Sequence, residues 1–164
     1  MKQEIKQAFN EQVYSFLLPI QEKAIPQILS RKNLFIQAAT GSAKTLAYLL
    51  PALEIADSAS NDTQILIITP TRELALQVSE VAKNTANYSK HHIVTVIGGL
   101  DIHKQENALR HRPTIIIGTP GRLMDLYSQK KIDLSHLLLC VVDEVDMVIS
   151  TGQRKETEYL LQHT

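Results

Sequence analysis

Five short apolar runs, "NLFIQA", "QILIITP", "HIVTVIG", "PTIIIGTP" and "LLLCVVDE", recur along this 164-residue chain, and each precedes a polar or amphipathic segment. That alternation is the pattern of repeated β-α units. Several of the runs are apolar at consecutive positions instead of alternating, which suits strands covered by helices on both faces. The expected architecture is therefore a mainly parallel sheet flanked by helices. Leu46, Leu49, Leu50 and Leu53 mark one helix by their i, i+3, i+4, i+7 spacing, and Leu74, Val78, Val81 and Ala82 mark a second. "DSASNDTQ", residues 57 to 64, reads as a surface loop, and no repeat or linker divides the chain. One domain over residues 1–164 is expected, long enough to bury an apolar core unaided. In open sheets of this kind ligands gather beyond the carboxyl ends of the strands, so the loops after each run are the places to look.

Bulk properties narrow the function classes. With 17 basic and 17 acidic residues the formal net charge is zero, so the chain lacks the strong cationic footprint of an autonomous nucleic-acid binder. Any grip on a polyanion must be local. The lone Cys140 lies inside an apolar run, which rules out an internal disulfide and predicts a buried thiol in a reducing cytoplasm. No apolar run is long enough to cross a bilayer, and the first residues lack the apolar core of a signal peptide. A cytoplasmic monomer is expected. The six histidines do not form H-E-x-x-H, and G-x-S-x-G does not occur.

The most chemically suggestive stretch is "QAATGSAKTLAYLLP", residues 37–51, in which an apolar run ends and a Lys-Thr pair opens a helix. The pattern G-x-x-x-x-G-K-[ST] fails at both glycines, which are Ala38 and Ala43 here. The surrounding context still matches. Thr40, Gly41, Ser42 and Ala43, followed by Lys44 and Thr45, would aim backbone N–H groups and a helix dipole at a phosphate. Lys44 would neutralise outer phosphates and the Thr45 hydroxyl would ligate Mg²⁺. Taken alone, the segment fits an ordinary strand-loop-helix connection with a solvated lysine equally well. Ala43 divides the outcomes: a left-handed backbone there costs alanine about 1–2 kcal/mol, while a right-handed one adds no conformational cost. About 1.4 kcal/mol corresponds to tenfold in affinity.

A second cluster closes the last apolar run, where "LLLCVVDEVDMV" places Asp143, Glu144 and Asp146 at a strand end. In phosphoryl-transfer sites one carboxylate holds the metal shell and another orients the attacking water. The plain alternative is an acidic loop capping the next helix.

Taken together these segments resemble the first RecA-like domain of the DEAD-box RNA helicases, of helicase superfamily 2. "AATGSAKT" is similar to that family's motif I, "PTRELALQ" to motif Ia, Gly98-Gly99 to the glycine doublet, "TPGRL" to motif Ib and "DEVD" to motif II. The five lie in family order across essentially the whole chain. The resemblance implies a three-layer RecA-like phosphate-loop domain that binds ATP and Mg²⁺ and acts on RNA. It assigns Lys44 and Thr45 to triphosphate and metal, Asp143 to the metal through water, Glu144 to the hydrolytic water, and Asp146 to coupling with motif III. "YSFLLPIQEKAIP" is similar to the Q motif, so Gln21 would read the adenine edge. Leu17 and Leu18 stand where the family usually has Pro and Thr or Ser, removing a hydroxyl tie to the phosphate loop.

On the RNA side the resemblance implies sequence-independent backbone contacts by Arg72, Gly99, Thr119 and Arg122. Turn-forming glycines and an Arg72 ion pair are the bland alternatives. The family's Ser-Ala-Thr motif III and its second RecA-like domain are expected beyond Thr164, and its adenine-stacking aromatic before Met1. The 164 residues alone are therefore expected to hydrolyse ATP poorly and not to unwind duplexes. Two further readings stay open: a non-catalytic scaffold with a degenerate phosphate loop, and a DNA-directed motor of the same superfamily.

Overall fold

The computed structural model describes residues 17–38, 43–87 and 89–164. The described chain runs α1 (Pro19–Leu29), α2 (Lys44–Ile55), β1 (Ile65–Ile68), α3 (Arg72–Thr85), β2 (Ile93–Val96), α4 (Ile102–Arg110), β3 (Ile115–Gly118), α5 (Pro120–Ser128), β4 (Leu139–Val142), α6 (Val145–Ser150) and α7 (Arg154–Leu161). The four strands form one parallel sheet in the order β2-β3-β1-β4. Their register is even, with Ile68 opposite both Gly118 and Val142, and Val96 opposite Gly118. All four carboxyl ends therefore finish in one row, and the loops that leave them share one edge of the sheet.

Burial explains the order. Ile65, Leu66, Ile67 and Ile68 of β1 are each 0% exposed, as a strand covered on both faces requires. Ile65, Ile67, Ile115 and Ile117 face a core built with Leu49 and Leu53 of α2 and with Ala75, Val78 and Ala82 of α3. Leu66, Ile68, Val94, Val96 and Ile116 face the other core, with Leu123 and Leu126 of α5 and Leu160 of α7. Three layers result, as the alternation of apolar runs and helices predicts.

Local chemistry starts several helices. Thr71 caps α3 by accepting the Leu74 N–H at 3.1 Å, and Asp101 caps α4 by accepting the N–H groups of His103 and Lys104. The apolar stripe expected on α2 proves to be one side of a helix covered all round, since Leu46 through Leu53 are all buried. The run at 57–64 is a loop, although Thr63 and Gln64 within it are buried.

One expected strand differs. Residues 32–38, containing "NLFIQA", form no helix or turn and join no ladder, and Phe35 is 80% exposed. A strand exists only where backbone groups find a partner. The nearest candidate, β4, lies across a groove of about 1140 Å³ from this segment. Cys140 on β4 is partly covered, and desolvation pushes its thiol up to about 12. That keeps it an unreactive thiol at neutral pH.

Candidate nucleotide groove and a second cleft

The large groove is where the two chemically suggestive segments meet. Ala38, Lys44, Tyr48, Asp143, Glu144 and Asp146 all line it. Lys44 and Thr45 begin α2, whose buried body fixes the direction of the helix mouth. Lys44 Nζ donates to the carbonyl of Ala38 at 2.8 Å, closing the loop between the two sides of the expected phosphate site. Thr40, Gly41 and Ser42 lie outside the described residues.

Ala43 is described, and its backbone is left-handed, with φ 55° and ψ 38°. Of the two outcomes left open by the sequence, the strained one holds. Glu144, across the groove, is also left-handed, with φ 47° and ψ 53°, at the start of α6. Non-glycine residues seldom take this conformation, which Arg31, Arg112 and Lys130 share just past helix ends, so Ala43 and Glu144 differ from these in preceding a helix and flanking the groove. Glu144 makes no side-chain cap to α6, so capping does not explain the carboxylate.

Asp143 is held tightly. Its Oδ1 accepts the Glu144 N–H at 3.0 Å, and its Oδ2 accepts the hydroxyl of Tyr48 at 2.8 Å. Burial above all, then the Asp143 charge and this hydrogen bond, keep the Tyr48 phenol protonated far above its ordinary range. The link spans 95 residues of sequence and joins the helix mouth directly to the acidic strand tip. Glu144 and Asp146 are exposed to the groove.

Gln21 is 2% exposed and ties α1 to the phosphate loop. Its Oε1 accepts the Leu18 N–H at 2.9 Å and its Nε2 donates to the Ala43 carbonyl at 3.3 Å. The tie that Leu17 and Leu18 cannot supply is thus made by an amide. One N–H and one lone pair of Gln21 are left over, but the residue is buried and is not among those lining the groove, so the expected adenine contact is not displayed there.

A second cleft of about 520 Å³ opens at the same sheet edge, around the tips of β1, β2 and β3. Arg72, Gly98, Thr119, Gly121 and Arg122 line it, and its two arginines are matched by Glu73 and Glu156. Arg72 lies against the glycine doublet: a Cβ on Gly98 would sit 3.3 Å from Arg72 Nη2, and one on Gly99 would collide with Nη1. Gly99 also has φ +79°, and this left-handed backbone is what favours glycine there, since the Arg72 side chain could move aside. Among the described residues Arg72 forms no ion pair, whereas Arg122 pairs with Asp125 at 2.8 Å. Arg122 Nε stays buried without a partner. Thr119 begins α5 without using its hydroxyl as a cap.

Three contributors were not expected from sequence. Tyr48 looked like one more residue of a packed helix. Gln105 clamps the end of β2, accepting the Ile97 N–H and donating to the Ile97 carbonyl, both at 3.0 Å, which sets the glycine doublet in place. Gln153 reaches from the start of α7 to the Pro70 carbonyl at 2.9 Å and lines the second cleft with Glu156. Only Tyr48 carried a signal in the sequence, a hydroxyl inside an otherwise apolar run, whereas Gln105 and Gln153 sit among polar neighbours.

A three-layer parallel α/β domain with a Lys-Thr helix mouth facing an acidic strand tip across one groove belongs to the phosphate-loop class. The family model for DEAD/DEAH box helicases matches residues 18–164, and the chain belongs to that family. It is 40% identical over 163 residues to the ATP-dependent RNA helicase CshA of Listeria monocytogenes, covering 99% of this chain and 31% of that protein. The DEAD-box ATP-dependent RNA helicase CshA of Bacillus subtilis is 36% identical, with 99% and 33% covered. The chain thus spans about a third of the length of these curated relatives. A crystal structure of a DEAD box protein from Methanococcus jannaschii superposes with a TM-score of 0.94 at 30% identity, over 99% of this chain and 45% of that one. A hypothetical ATP-dependent RNA helicase from Sulfolobus tokodaii gives 0.92 at 35% identity, over 100% and 47%. The sheet and its flanking helices are therefore a RecA-like domain. No helix among the described residues is long and apolar enough to cross a membrane.

Proposed function

We propose that this chain is the ATP-binding half of an ATP-dependent RNA helicase, an RNA-stimulated ATPase that remodels RNA duplexes or RNA-protein complexes. The observation that carries the proposal is the convergence of Lys44 and Asp143 on one groove, joined through the Tyr48 hydrogen bond. Relatives named as ATP-dependent RNA helicases support the same activity.

The donors in the groove suit a magnesium nucleotide. Mg²⁺ prefers oxygen ligands and keeps several waters, needing one or two protein groups beside the phosphates. Thr45 and Asp143 supply a hydroxyl and a carboxylate of that kind. Bound magnesium would neutralise charge developing on the phosphates. Lys44 would exchange the Ala38 carbonyl for phosphate oxygens. Thr40, Gly41, Ser42 and Ala43 would cradle them, and Glu144 would hold the water to be activated. Asp146, on the first turn of α6, would pass the state of the site onward.

The second cleft would take the RNA backbone. Arg72 and Arg122 provide guanidinium groups, Gly99 permits close approach, and Thr119 offers a free hydroxyl. Contacts of this kind are to phosphate and ribose, which fits a chain of zero net charge and no built-in sequence preference. A second RecA-like domain would complete both sites, and an arginine from such a source is worth about 10³–10⁵ in rate. The 164 residues alone would then hydrolyse ATP slowly.

Calorimetric titration with ATP and ADP tests the nucleotide site, and single-stranded RNA against DNA of the same sequence tests the cleft. Binding of neither nucleotide would defeat the proposal. The left-handed Ala43 favours one competing view, a scaffold whose phosphate loop has decayed. That view requires no nucleotide binding in the native chain and none in Ala43→Gly.

A further inference from the structure

The hydroxyl of Tyr48 needs an explanation of its own. From Leu46 to Leu53 every residue of α2 is buried, and Tyr48 is the one carrying a polar side-chain group. Packing alone would be served by a bare ring. A buried phenol must find a partner, and this one donates to Asp143 Oδ2, on a different element, at 2.8 Å. The other carboxylate oxygen is taken by the Glu144 N–H. Asp143 is thereby tethered through both oxygens, once by its own loop and once by α2.

We propose that Tyr48 is a positioning residue of the magnesium-nucleotide site, its hydroxyl orienting the Asp143 carboxylate and locking that strand tip to the phosphate-loop helix. This rests on the nucleotide function proposed above. It predicts that the phenol acts on metal binding and not on the fold. Groups that orient a metal ligand from behind typically change metal affinity by about 10–100-fold when removed. Tyr48→Phe keeps the ring and its packing and deletes only the tether.

The native protein and Tyr48→Phe would be titrated with an unhydrolysable ATP analogue by calorimetry, once with Mg²⁺ and once with the metal chelated. The expected result is an unchanged metal-free affinity and a magnesium-dependent gain reduced about tenfold. In an Asp143→Asn background the tyrosine change should add nothing further, because both act through one carboxylate. An equal magnesium gain in the two proteins would overturn the proposal, as would equal losses with and without metal, which mark a packing role. If the native protein fails to bind the analogue under either condition, the nucleotide function falls as well. Normal binding with a normal gain in Tyr48→Phe removes the positioning role alone.

Discussion

The two openings at the carboxyl edge of the sheet are built differently. The second cleft rests on β1 and β3, whose apolar residues are almost wholly buried, and the left-handed residue beside it, Gly99, is a glycine. The nucleotide groove rests on β4, partly exposed at all four positions, and on a segment, residues 32–38, that joins no ladder. Its two left-handed residues are Ala43 and Glu144, which carry side chains into an unfavourable conformation. One opening is a relaxed surface on a packed core, and the other is a strained one at the edge of the sheet. Strain of this kind persists only where surrounding structure imposes it.

Separation of the two openings is the first thing to break. Lys44→Ala removes the charged donor of the nucleotide groove, and a hydrogen bond to a charged group is worth about 1.5–3 kcal/mol. Nucleotide affinity should fall about 10- to 100-fold, since each 1.4 kcal/mol is tenfold. RNA affinity measured without nucleotide should stay unchanged. A matching fall in RNA affinity would mean the openings are one site.

The converse change is Gly99→Ala. The new methyl group would displace the end of the Arg72 side chain, while the strain of a non-glycine residue at φ +79°, roughly 1–2 kcal/mol, weighs on folding. RNA affinity should drop by less than tenfold, through the displaced guanidinium alone, with metal-free nucleotide binding intact. Filter binding on single-stranded RNA reads the first and calorimetry the second. An unaltered RNA affinity would remove the glycine doublet from the interface. Arg72→Ala should act more gently, lowering the salt dependence of RNA binding by about one unit of slope. A slope that does not move would show that Arg72 meets no phosphate.

How far the sequence foretold this asymmetry differs between the openings. β1 and β3 were readable because consecutive apolar residues such as "ILII" leave a strand no solvent face. "NLFIQA" has the same local character yet forms no strand, because hydrogen-bond partners are a tertiary fact that propensity does not contain. Lys44, Asp143 and Glu144 were identifiable by type and place. Tyr48 was hidden by its apolar neighbours, since its partner lies 95 residues away. Gln21 was expected at the adenine, and its bond to Ala43 adds a support role that single-residue reasoning does not supply.

The smallest effect tests the strain itself. Ala43 adopts φ 55° in the nucleotide-free chain, so its cost of about 1–2 kcal/mol weighs on folding and not on binding. Ala43→Gly relieves that cost but also frees the unfolded chain, which offsets about 0.4–1 kcal/mol. The net gain should be about 0.5–1 kcal/mol, and at this chain length 1 kcal/mol moves Tm by about 2–4 °C. Calorimetric melting should therefore show a rise of a few degrees, while ATP affinity changes by much less than tenfold. A flat Tm with tenfold tighter ATP binding would move the strain to the binding step. The loop would then reach its left-handed form only around the phosphate, and the contrast between a pre-strained groove and a relaxed cleft would fail.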